Sequence, residues 1–159
     1  MSQVTSAEIT HLEHQAPRRR HIHFRTRGAS LGLTATQTDH LVSQMEAGFP
    51  FKALESLAAL SGLSVTLIAS ILGIPERTLA RRKAAGRFAP HESERLLRIS
   101  IMFEKAVELF EGDVSGAVTW LTRPKRALAH QPPLAFSRTE LGAREVENLI
   151  GRLEHGVFS

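Results

Sequence analysis

"SVTLIASILGIPERTLARRKAAG", residues 64–86, holds two short helical patterns separated by one break. Ser64 stands where an N-cap is wanted, with a hydroxyl that accepts from the first free backbone N–H groups. Ile68 and Leu72 share a face, and Gly73 ends the first pattern by supplying a left-handed backbone conformation. Pro75 opens the second pattern at its first turn, where no N–H is needed, and Gly86 closes it. Ala69 is small enough for two helices to cross closely, and Ile68, Leu72, Ile74 and Leu79 fill the space between them. The stretch predicts a helix-turn-helix.

Working outward, every segment from about residue 34 carries helical periodicity, and no run alternates like a strand. Leu41, Val42 and Met45 share one face of a first helix. Phe51, Leu54, Leu57, Ala58 and Leu60 form the stripe of a second. The longest pattern follows residue 90, where Leu96, Ile99, Phe103, Ala106 and Phe110 stay on one side for four turns. Asp113 caps a helix with Val114, Ala117, Val118 and Leu121 inward, and Trp120 is expected in the core. A proline-punctuated connector follows, and Ser137 with Glu140 has capping-box spacing for the last helix. The fold class is all-α: a helix-turn-helix module joined by a long helix to a small helical domain. Expected boundaries are 1–33 for a flexible basic arm, 34–99 for the helix-turn-helix domain and 100–159 for the second domain.

Composition narrows the class. Of 159 residues 42% are hydrophobic and 23% charged, ordinary for a globular chain. The absence of cysteine excludes disulfides and thiolate chemistry. No apolar run approaches a membrane span and the N-terminus has no signal-peptide character, so a cytoplasmic protein is expected. The eight histidines lack metal-ligand spacing, and there is no phosphate-binding glycine motif. No active site, metal or cofactor is expected.

The net charge is +4, but it is concentrated. Arg18, Arg19, Arg20, Arg25 and Arg27 crowd one stretch, and Arg77, Arg81, Arg82, Lys83 and Arg87 another. Such clusters suit polyanions or simply form a solvated face. The arm reads either as a nucleic-acid contact or as a solubilising tail. The 64–86 stretch resembles the helix-turn-helix of the Xre, phage-repressor-like family, in which alanine followed four residues later by glycine marks the turn. That resemblance places residues 75–85 in a DNA major groove, with Arg77, Thr78 and Arg81 toward base edges and phosphates. Arg82, Lys83 and Arg87 would neutralise flanking phosphates. Arg82 departs from the family, which has an aliphatic residue there. Either its methylene stem is buried or the helix docks rotated.

Residues 100–159 resemble the toxin-binding domain of the Xre/MbcA/ParS antitoxins. The likeness rests on Phe110, Trp120-Leu121, Pro124, Pro133-Leu134, Leu141-Gly142-Ala143, Val146, Leu149-Ile150 and the ending Gly156-Val157-Phe158. It departs at Leu128-Ala129-His130, where the family often has glycine, and at Ala135, where it favours aspartate. The resemblance implies a RES-type toxin that attacks NAD, or a related ADP-ribosyltransferase, neutralised by occupation of its active-site groove. It assigns contacts to Arg144, Glu147, Asn148, Arg152, His155, Val157, Phe158 and Ser159. Val157 and Phe158 have a second reading, as a Schellman cap closing the chain's own core. Operator DNA is the other implied partner, read by a homodimer. Two alternatives remain open: a plain helix-turn-helix regulator whose C-terminal half only dimerises, and an interaction protein that no longer binds DNA.

Overall fold

The computed structural model of the chain describes residues 21–156. Among these, strand pairing is confined to isolated bridges, and the architecture is all-α. A single 3-10 turn at Ala29–Leu31 precedes α1 (Thr38–Ala47), α2 (Lys52–Ser61), α3 (Val65–Ile71) and α4 (Glu76–Ala85). The long α5 (Pro90–Leu109) leads to α6 (Val114–Thr122), a second 3-10 turn (Arg126–Leu128), the one-turn α7 (Pro133–Phe136) and α8 (Glu140–Glu154).

The local stop and start signals act as their chemistry dictates. Ser64 Oγ accepts from Leu67 N at 3.0 Å, and Asp113 Oδ1 accepts from Gly116 N at 3.1 Å. Gly73, at φ +70°, turns the chain between α3 and α4, and Ile74 N donates to Ala69 O at 2.9 Å across that turn. Ile68, Ala69, Leu72 and Ile74 are buried there, and Leu79 packs against them half-buried. The helix-turn-helix is therefore formed as its residues predict.

One hydrophobic core runs from Leu31 to Ile150, and α5 is its axis. Leu96, Met102 and Ala106 are fully buried on α5, with α6 and α8 packed against it. A domain boundary at residue 99 falls inside this continuous helix. Four polar residues of α5 are also buried, Glu92, Ser93, Ser100 and Glu104, and each is hydrogen-bonded, as burial demands. Ser93 Oγ accepts from Phe49 N at 2.8 Å and donates to Ala89 O. Arg95 reaches back to donate to Leu72 O at 3.1 Å, satisfying a carbonyl at the end of α3.

Four local expectations are corrected. Residues 21–33 are not a free arm but lie on α5: Ile22 N donates to Gly112 O, and the Phe24 ring stands 5.9 Å from that of Phe103. Ser30 and Leu31 are buried, and Glu104 accepts from Ser30 N at 2.8 Å, Ser30 Oγ at 2.6 Å and Gly28 N at 3.2 Å. Burial nonetheless outweighs these bonds and raises the Glu104 carboxyl above the ordinary range. Residues 1–20 of the expected arm lie outside the described residues.

The last helix is capped by Thr139, whose Oγ accepts from Gly142 N at 3.0 Å. Ser137 instead donates to Leu134 O at 2.7 Å, because Pro133 has already started the short α7. Trp120 is half-buried, covered by Lys125 with Nζ 5.4 Å from the ring centroid, a cation–π arrangement. Val42 is exposed, leaving Leu41 as the buried residue of α1.

Two glycines of α8 should respond oppositely to alanine. A Cβ on Gly142 would overlap the Phe136 carbonyl, whereas one on Gly151 meets nothing. Gly142→Ala is expected to cost about 1–3 kcal/mol through overpacking, and Gly151→Ala to gain up to about 1 kcal/mol through helix propensity, read from urea-unfolding midpoints. Ala129 sits at φ +53°. Ala129→Gly relieves about 1–2 kcal/mol of left-handed strain against an unfolded-state entropy cost of about 0.4–1 kcal/mol. A small net stabilisation is expected in the same assay.

Candidate nucleic-acid and partner-binding surfaces

Helix α4 follows the turn at Gly73 and buries no residue fully. It stays in place through Leu79, through a backbone clasp at its end and through one ion pair. The clasp consists of Phe51 N donating to Gly86 O and Phe88 N donating to Phe49 O, each at 2.9 Å. The ion pair is Arg82 with Glu92. Arg82 Nε lies 2.8 Å from both carboxylate oxygens, and Nη2 lies 2.7 Å from Oε1. Burial pulls the Glu92 carboxyl upward. The bonds from Arg82 and from Ala89 N outweigh it and hold the pKa below the ordinary glutamate value.

Arg82 is thus committed inward, which explains why an arginine stands where the fold wants an aliphatic side chain: it neutralises a buried acid of α5. Arg87 is also tied, donating from Nη1 to Gly48 O at 2.6 Å and to Ala47 O at 3.2 Å. Both were expected to meet phosphates. Their guanidinium groups instead satisfy a buried carboxylate and the carbonyls ending α1. The solvent face of α4 carries Arg77, Ala80, Arg81 and Ala84, all exposed, with Arg77 and Arg81 four residues apart and Ala80 and Ala84 likewise. Two long cations flanked by alanines give reach with little bulk, which suits close entry into a groove. Lys83 is exposed beside this face and Thr78 is half-buried.

Helix α8 packs through Gly142, Ala143, Val146 and Ile150. Its opposite face is a stripe of Leu141, Glu145, Asn148, Arg152 and His155, separated by four, three, four and three residues. Leu141, Glu145, Asn148 and His155 are exposed and Arg152 is half-buried. Leu141 is 74% exposed, an unusual position for a large apolar side chain among charged neighbours. Arg144 borders the stripe and pairs with Glu140 at 2.8 Å. Glu147 does not belong to it, because its carboxylate lies 2.7 Å from Lys105 Nζ on α5. Leu141 and Glu145 are not among the expected contact residues, yet their spacing from Asn148 and Arg152 puts them on the same exposed face. Val157, Phe158 and Ser159 lie outside the described residues.

The Glu92 carboxyl gives a pH test. A lowered folded-state pKa contributes stability that is present above the unfolded value, about 4.3, and is lost as pH falls through the folded value. The stability advantage of the wild type over Glu92→Gln is therefore expected to shrink on acidification below about pH 4.3, measured by denaturation at several pH values. Arg82→Ala is expected to lower the melting temperature more than Arg81→Ala, since only the former strands a buried charge.

Comparison with known proteins finds a match for each half of the chain. Residues 40–100 match the antitoxin Xre-like helix-turn-helix domain, and residues 105–156 match the antitoxin Xre/MbcA/ParS C-terminal toxin-binding domain. An Antitoxin Xre from Yersinia enterocolitica is 42% identical over 130 residues, covering 81% of this chain and 88% of the relative. Another Antitoxin Xre, from Photorhabdus laumondii, is 35% identical over 131 residues, covering 82% and 88%. With both domains matched in order and relatives named Antitoxin Xre covering four-fifths of its length, the chain belongs to the Xre family of antitoxins.

Proposed function

We propose that this antitoxin neutralises a RES-type toxin that degrades NAD, or a related ADP-ribosyltransferase, by laying α8 and the residues after it across the toxin's active-site groove. The observation that carries this reading is the outward stripe of α8. Leu141 supplies an apolar anchor, and Arg144, Asn148, Arg152 and His155 supply polar reach on a helix already fixed by its buried face. A preordered helix spends little entropy on binding. Glu147 acts indirectly here, holding α8 to α5 through Lys105. Val157, Phe158 and Ser159 extend the contact into the groove.

The second part of the proposal is repression of its own operon in the cytoplasm. Arg77 and Arg81 read base edges or phosphates in the major groove, Lys83 adds a phosphate contact, and two copies engage two half-sites. A protein of this kind performs no catalysis of its own.

Co-expression with the toxin encoded beside its gene tests the first part. Leu141→Ala combined with Arg152→Ala is expected to weaken the complex more than tenfold and to lose growth rescue, as is a chain stopped after Glu154. Full rescue and unchanged co-purification by both variants would overturn the reading and favour a plain regulator that uses its C-terminal half only for dimerisation. For the second part, Arg77→Ala with Arg81→Ala is expected to abolish a gel shift of the upstream DNA. Retained binding at wild-type affinity would remove α4 as the reading helix.

A further inference from the structure

We infer that residues 21–27 form a second nucleic-acid contact, a rigid cationic comb that grips a phosphodiester backbone outside the groove read by α4. The inference rests on the DNA-binding reading above and extends it to a segment which that reading does not use. Exposure alternates along the segment. His21, His23, Arg25 and Arg27 are exposed, while Ile22, Phe24 and Thr26 are half-buried between them. Alternate side chains of an extended chain stand about 6.6 Å apart, comparable to the step between successive phosphates of one strand; this spacing holds from His21 to Arg25, and Arg27 stands in the turn that follows.

The comb is anchored at three points. Ile22 N donates to Gly112 O at 2.9 Å, the Phe24 ring packs on Phe103, and the turn that follows places Gly28 and Ser30 on the buried Glu104 carboxylate. The cations are therefore presented by ordered backbone, and contact with a ligand does not require that backbone to fold first. Among the described residues neither Arg25 nor Arg27 has a hydrogen-bond or ion-pair partner. The charged groups facing the segment are Glu104, already satisfied, Lys105, paired with Glu147, and the exposed Glu108 of α5, with Glu111 and Asp113 beside His21 at the end away from Arg25 and Arg27. In the sequence, Arg18, Arg19 and Arg20 continue the positive charge immediately upstream.

The chemistry favours a phosphate backbone over other occupants. Ile22 and Phe24 turn inward, so the outer face lacks the apolar anchors that dominate protein–protein hot spots. Pairing with a second copy would set like charges opposite one another. The comb lies beside Ile101–Glu108, whereas Arg82 of α4 meets α5 at Glu92. Nine residues of helix separate the two levels, about 14 Å. Those nine residues also turn the helix about half a revolution, so the comb meets a phosphate backbone on a different side of α5 from the groove read by α4.

The test is binding to a duplex of the upstream region, long enough to extend well beyond the operator, and to an unrelated duplex of equal length, each over a range of salt. Arg25→Ala with Arg27→Ala leaves every inward anchor intact. It is expected to weaken binding to both duplexes and to reduce the slope of log affinity against log salt by about 1.8, or 0.9 for each lost phosphate contact. Arg25→Lys with Arg27→Lys should restore most of the slope. An unchanged slope and affinity in the alanine variant would overturn the comb while leaving α4 untouched. Loss of unrelated-duplex binding in that variant, with Arg77→Ala and Arg81→Ala behaving like wild type, would support the comb and overturn the reading role of α4. Wild-type protein that binds neither duplex would overturn both. Unchanged DNA binding with weakened toxin co-purification would overturn the comb in favour of an acidic protein partner.

Discussion

Helix α5 is buried along most of its length, and everything else depends on how its polar residues find partners. A carboxylate taken out of water is costly unless it is paired or hydrogen-bonded. Glu92 and Glu104 are both in that position. Glu92 draws in Arg82 and so positions α4; Glu104 draws in Gly28 and Ser30 and so docks the segment ahead of α1. Arg95 and Lys105 extend the pattern outward, one to the end of α3 and the other to α8. The elements that carry the surfaces are thus registered to one helix by specific polar bonds, while the apolar core supplies the bulk of the cohesion.

This explains what was legible in the sequence. Caps and turns depend on neighbours within four residues, so Ser64, Gly73, Gly86 and Asp113 could be read directly. The apolar stripes of α2, α5 and α8 repeat often enough to survive single exceptions. Thr139 was overlooked because Ser137 offers the same hydroxyl two residues earlier, and only the short helix begun by Pro133 decides between them. Arg82 was ambiguous because its partner is on the next helix, and its role depends on how α4 and α5 cross. The docking of residues 21–33 was invisible for a related reason. Ile22, Phe24 and Leu31 are too few to show a period, and the bond that matters most spans 74 residues.

The surfaces were legible only in part. A list of basic residues does not distinguish those that face solvent from those spent inside. Arg77 and Arg81 remain available, whereas Arg82 and Arg87 hold the fold. On α8 the sorting runs the other way. Attention to polar residues includes Glu147, which the fold uses, and passes over Leu141, which the fold leaves out. In both helices the useful signal is which residues share the face opposite the buried one.

Continuity of α5 between the two halves has a consequence for turnover. Small proteins with one core unfold cooperatively, and here no linker separates α4 from the toxin-binding domain. A protease that engages either end and pulls must dismantle the shared axis, so both surfaces disappear in a single event. Degradation of the chain then acts as an undivided switch: its grip on the toxin and its presentation of α4 are lost on the same clock.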